Sequence, residues 1–172
     1  ILPVYRNLYM RFGDRYYSFP YDGDCHLLFY RADLLGELRL PVPETWTEYD
    51  QVARALASPK GTGGRLYGTA MIAAETKAYQ WFSSRYASFG GRYFDEEMRP
   101  LIDGPLAVQV LTDMVELERD AAPEAAFDWE DLNRAFLSGT LPMVVQFSDT
   151  ARFSYDPDVW NSKVAGLVSW TL

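Results

Sequence analysis

The chain opens on short extended pieces. Leu8 to Phe12 and Arg15 to Phe19 are β-prone runs split by Gly13-Asp14, a composition suited to a tight turn, so they read as a hairpin. Pro20 ends it, Tyr21-Asp22-Gly23-Asp24 makes an exposed bend, and Cys25 to Tyr30 is an apolar run suited to a buried strand. The hydrophobic period then lengthens. Asp33 to Leu40 reads as a short helix broken by Pro41 and Pro43. Thr45 and Glu48 have the spacing of a capping box ahead of the amphipathic stretch Tyr49, Val52, Ala53 and Leu56. A glycine-rich loop, Gly61 to Gly64, leads to Tyr67 to Ala73, which reads as a strand. Ala78, Trp81, Phe82, Tyr86 and Phe89 recur at near-helical spacing until Gly90-Gly91 supplies a stop. Pro105 sits in the first turn of a longer helix whose stripe is Leu106, Val110, Met114 and Leu117. Asp128 caps another helix, with Leu132, Ala135 and Phe136 facing inward and Gly139 at its end. Leu141 to Phe147 and Val164 to Trp170 close the pattern as strands. Strands and helices in alternation predict an α/β architecture with a substantially parallel or mixed sheet.

Composition narrows the function classes. The chain has 172 residues and is 48% hydrophobic, enough for one sizeable core. Its 24 acidic against 16 basic side chains give a formal charge of −8, so there is no basic field to hold a phosphate backbone and nucleic acid is not an expected partner. The longest apolar runs fall far short of the roughly 20 residues that cross a bilayer, so the chain is not expected to span one. Cys25 is the sole cysteine, which excludes an intrachain disulfide and a cysteine-built zinc site. The opening Ile1-Leu2-Pro3 and the closing Ser169-Trp170-Thr171-Leu172 both read as cut ends, so residues 1–172 are expected to be one α/β unit from a longer protein.

Few residues have the pattern of a catalytic centre. The only histidine, His26, neighbours Cys25 in a strand, where successive side chains point to opposite faces, so the two cannot form a nucleophile and base pair. His26 reads as a structural histidine. The Gly61 to Gly64 cluster precedes a strand rather than opening a helix, unlike a phosphate loop. Asp22-Gly23-Asp24 lacks the further ligands of a calcium loop, and Asp95-Glu96-Glu97 reads as a solvated turn, so no metal is expected. What remains is a set of carboxylates at bends, Asp22, Asp24 and Asp149, in the company of Tyr21, Trp81 and Phe147. Aromatic faces stack on the apolar face of a sugar while carboxylates accept its hydroxyl protons. The same carboxylates could instead flank a glycosidic bond as acid and nucleophile.

Several segments, in order, resemble the extracellular solute-binding proteins of carbohydrate ABC importers, the family that includes the maltose-binding proteins. They are Phe12-Gly13-Asp14-Arg15-Tyr16-Tyr17-Ser18-Phe19-Pro20, Leu28-Phe29-Tyr30-Arg31-Ala32-Asp33-Leu34-Leu35, Pro43-Glu44-Thr45-Trp46-Thr47-Glu48-Tyr49, Phe89-Gly90-Gly91 and Ala135-Phe136-Leu137-Ser138-Gly139-Thr140-Leu141-Pro142-Met143. The resemblance implies a lobe of the periplasmic-binding-protein type II fold, with a mixed sheet flanked by helices. This piece would be most of the second of two lobes that close on a ligand by a hinge. It implies a carbohydrate ligand, permease subunits of the importer as partners, no cofactor and no catalysed reaction. It also implies a periplasmic or extracellular location, with the signal peptide outside these residues. Carried over by position, it assigns ligand contacts to Asp24, with Asp22 as the near alternative, to Tyr79 and Trp81, and to Phe147, Ser148 and Asp149. Trp81 would be the stacking face. Leu141-Pro142-Met143 and Asp149 depart from the usual family pattern, which bears on the identity of the ligand. A glycan-active enzyme and a sensory domain of the same fold are the alternatives.

Overall fold

The computed structural model describes residues 2–57, 67–74, 77–123 and 127–172. The Gly61 to Gly64 loop lies outside the described residues. After a short helix α1 (Pro3–Tyr5) and a π-helical turn over Arg6–Met10, the hairpin forms from β1 (Arg11–Phe12) and β2 (Arg15–Tyr16). It is shorter than the sequence suggests, because the chain is still helical through Met10; Gly13, at φ +57°, makes the turn a side chain would strain.

The central sheet is three-stranded, in the order β4-β3-β5, built from β3 (His26–Arg31), β4 (Met143–Phe147) and β5 (Val168–Thr171). Both pairings are antiparallel. β4 and β5 point the same way but never touch, since β3 lies between them running in opposition; parallel pairing among the described residues is confined to the isolated bridge Ile72 to Phe127. The expected parallel character is the part of the α/β reading that changes. The final strand is also shorter than the Val164 to Trp170 expectation. Gly166, at φ +76°, and a Leu167 N–H donated to the Val164 carbonyl turn the chain before β5 begins.

Alternation along the strands sorts the core into two layers. Leu28 and Met143 meet Tyr49, Val52, Ala53 and Leu56 of α3 (Trp46–Ala57) on one face. Phe29 and Val144 meet Leu132 and Phe136 of α6 (Trp129–Leu137) on the other. The capping box forms as expected: Thr45 Oγ1 accepts the Glu48 N–H at 3.2 Å while the Glu48 carboxylate accepts the Thr45 N–H at 3.2 Å. Asp128 caps α6 by accepting the Asp131 N–H at 2.9 Å. α4 (Ala78–Ser88) ends at Gly90, at φ +81°. α5 (Pro105–Ala121) buries Ala107, Val110, Met114, Leu117 and Ala121, so Ala107 takes the inward place expected of Leu106, which is exposed.

Tyr67 to Ala73 is not a strand. The N–H groups of Gly68 and Thr69 donate to the Ala121 carbonyl and that of Ala73 to the Phe127 carbonyl, which spends them on helix and loop ends rather than on a ladder. Gly68 passes so close to α3 that a Cβ there would lie 1.7 Å from the Ala53 carbonyl oxygen. Between α3 and α4, Arg85 and Asp50 form a buried bidentate ion pair at 2.9 and 2.5 Å, and the Arg85 guanidinium lies over the Trp46 ring at 5.2 Å. α2 (Ala32–Leu38) follows β3 directly, and α7 (Thr150–Phe153) follows β4.

Candidate functional site

β3 begins where β4 ends, so antiparallel pairing sets His26 opposite Phe147 and brings the bend before β3 beside the turn after β4. Two hydrogen bonds fasten the corner. The Ser148 N–H donates to the Cys25 carbonyl at 2.9 Å, and the Ser148 hydroxyl donates to Asp24 Oδ1 at 2.6 Å. Asp22 accepts the Gly23 N–H at 2.7 Å, and Gly23 lacks the Cβ that would strike the ring of Tyr5. Asp149 stands at the head of α7 without capping it. That helix is held in turn by the buried Thr150 hydroxyl, which donates to Asn133 Oδ1 of α6 at 2.9 Å.

Asp22, Asp24, Phe147, Ser148 and Asp149 are thus one acidic corner. Burial, with the nearby negative charges of Asp24 and Asp22, raises the Asp149 carboxyl above its ordinary range. Its Oδ1 is sealed from solvent and has no hydrogen-bond partner among the described residues. Such an oxygen is an unsatisfied acceptor that costs the fold free energy. Among the described residues no group of three or more histidine, cysteine, aspartate or glutamate side chains is arranged to hold a metal ion.

The two α4 aromatics assigned by the resemblance, Tyr79 and Trp81, have different positions. Tyr79 is exposed, whereas Trp81 is only 5% exposed and donates its indole N–H to the Val145 carbonyl at 3.0 Å. Trp81 therefore supports the corner from the core and offers little open face for stacking. Its ring meets Phe147 edge-on at 5.8 Å between centroids.

Sequence reasoning missed the residue between them. His26 packs 4.9 Å from both the Trp81 and the Phe147 ring centroids, and its Nδ1 lies 2.6 Å from the Ser84 hydroxyl of α4. Burial lowers its pKa, against the smaller opposing pull of Asp24, which keeps the imidazole neutral. The structural reading of His26 captures the packing only. The signal for more was present: Asp24 and His26 are two apart, and alternation in an extended chain puts such side chains on one side. His26 also borders a cavity of about 610 Å³, whose walls include Leu28, Trp46, Ser84, Phe89 and Leu172. None of the residues proposed from the sequence lines that cavity. The acidic corner and the cavity adjoin at His26.

A fold of this kind is that of the periplasmic-binding-protein-like type II class. The model of the bacterial extracellular solute-binding protein family matches residues 1–162, and the chain belongs to that family. A solute-binding protein of an ABC transporter from Agrobacterium radiobacter K84, solved in complex with ribitol, superposes with a TM-score of 0.87 at 28% identity, over 98% of this chain and 42% of that one. Another from Agrobacterium vitis S4, with bound D-mannitol, gives a TM-score of 0.77 at 26% identity, over 87% of this chain and 36% of that one. A mannitol-binding protein of Pseudomonas aeruginosa is 29% identical over 162 residues, which is 87% of this chain and 34% of that protein. The chain spans about a third of the length of the curated relatives it matches.

Proposed function

We propose that residues 1–172 are one lobe of the substrate-binding component of an ABC importer, and that the substrate is a neutral sugar or sugar alcohol. The supporting observation is the acidic corner, where Asp24 and Asp149 offer carboxylate oxygens beside Phe147 in a chain of the solute-binding family. In this reading a ligand hydroxyl donates to the Asp149 carboxylate, another to Asp24, and Phe147 and Tyr79 cover the carbon skeleton. Asp22 holds the bend. No reaction is catalysed, and the loaded protein delivers its ligand to the permease from the periplasm or the outer face of the cell envelope.

Two features favour a neutral ligand, and an acyclic polyol in particular. Among the described residues, no arginine or lysine is among the charges acting on Asp149 or His26, so none there balances an anion. With Trp81 committed to the core, the acidic corner itself has no open indole face among the described residues, which a pyranose ring uses and a flexible polyol does not need. The relatives solved with ribitol and D-mannitol point the same way.

A thermal-shift screen of the full-length protein against sugars, sugar alcohols, amino acids and organic anions tests the reading, since a ligand that binds only the folded state raises Tm. Stabilisation by sugar alcohols that is lost in Asp24→Ala supports it. A response confined to anions or amines, or release of sugar from a glycoside, contradicts it.

A further inference from the structure

We infer that His26 is the residue through which this lobe reads a ligand hydroxyl as an acceptor, and that Ser84 sets the imidazole tautomer for that task. The inference rests on the sugar or sugar-alcohol reading of the acidic corner. A hydroxyl both donates one proton and accepts through its lone pairs, whereas ionised carboxylates only accept. Asp22, Asp24 and Asp149 can therefore satisfy the protons of a polyol but not its oxygens. The one side-chain hydroxyl at the corner, that of Ser148, is already donated to Asp24. The corner lacks a donor.

His26 can supply it. The ring is fixed between Trp81 and Phe147, each 4.9 Å away, so it is oriented before a ligand arrives. Ser84 Oγ, 2.6 Å from Nδ1, has no other hydrogen-bond partner among the described residues. Its proton is therefore best spent on Nδ1, which leaves the imidazole proton on Nε2. Nε2 has no partner among the described residues and is not among the polar atoms sealed from solvent. His26 borders the cavity of about 610 Å³, a volume within the ordinary range for small-molecule sites. Burial holds the ring neutral, so Nε2–H is a donor of fixed charge.

The test is calorimetric titration of the full-length protein with ribitol, with D-mannitol and with their monodeoxy analogues. His26→Phe keeps an aromatic ring between Trp81 and Phe147 but removes both nitrogens. It is expected to weaken the better-binding polyol about tenfold, the loss of one well-placed neutral hydrogen bond. The penalty should vanish for the deoxy analogue that lacks the hydroxyl addressed by His26, which a purely structural effect would not do. Ser84→Ala frees the tautomer and should weaken the same polyol about threefold. Wild-type affinity in His26→Phe, or an equal loss for the parent polyol and every deoxy analogue, overturns the inference while leaving the functional reading in place. If His26→Phe does not fold, unchanged affinity in Ser84→Ala overturns it instead. A wild-type protein that binds neither polyol overturns the functional reading and this inference together.

Discussion

Asp149 and Asp24 have opposite circumstances within one corner. Asp24 receives a hydroxyl proton from Ser148, while Asp149 has a sealed oxygen, like charges nearby and a raised pKa. A carboxyl whose folded pKa lies above its unfolded value destabilises the folded state wherever both forms are ionised. The deficit is full above the folded pKa and disappears as the pH falls to the unfolded value near 3.8. Asp149→Asn is thus expected to raise the Tm of the unliganded protein at pH 7 and to leave it unchanged near pH 3.5, as followed by differential scanning calorimetry. The same substitution, like Asp24→Asn, should weaken polyol binding by about tenfold to a hundredfold, the range for a hydrogen bond to a charged group. A stabilised protein with unaltered affinity would remove Asp149 from the site. That Asp22, Asp24 and Asp149 stand at bends was legible in the sequence, where carboxylates between strands and helices have few structural duties. Trp81 and His26 were not, because whether an aromatic on a helix or strand faces core or solvent depends on what packs over it. Here the neighbours are contributed by β3 and β4, distant in sequence.

Local signals specified the helices well. The capping box at Thr45 and Glu48, the Asp128 cap and the Gly90 stop all act within one turn, so the sequence carries the whole interaction. Tyr67 to Ala73 failed as a strand for the opposite reason: Ala70 and Ile72 are buried, but the segment's partners are the end of α5 and the loop at Phe127. Two predictions belong to these elements. Gly68→Ala forces a Cβ into the Ala53 carbonyl and is expected to cost about 3 kcal/mol or more, read by urea denaturation. Asp50→Ala strands the Arg85 guanidinium, itself 3% exposed, and should cost about 3–5 kcal/mol. The double variant Asp50→Ala with Arg85→Leu should recover much of that loss, since no buried charge is left unpaired. If the double variant is as unstable as the single one, the pair is not the link between α3 and α4 described above.

At the scale of the molecule, the alternation of helices and strands revealed the class, but not that β3 would separate β4 from β5 and make every pairing in the sheet antiparallel. Strand order is fixed by contacts across the chain, which periodicity does not encode. The net charge of −8 opposes association with anionic partners and agrees with a neutral ligand. Half a cleft forms only part of the contacts, and each 1.4 kcal/mol lost is tenfold in Kd, so a lobe alone should bind at about millimolar or weaker. The most direct test of the central claim is calorimetric titration of the full-length protein with ribitol and D-mannitol at pH 7, alongside Asp24→Asn. The account predicts saturable one-site binding at about micromolar Kd, weakened at least tenfold by the substitution. Absence of binding to either polyol, or binding that Asp24→Asn leaves unchanged, would contradict it.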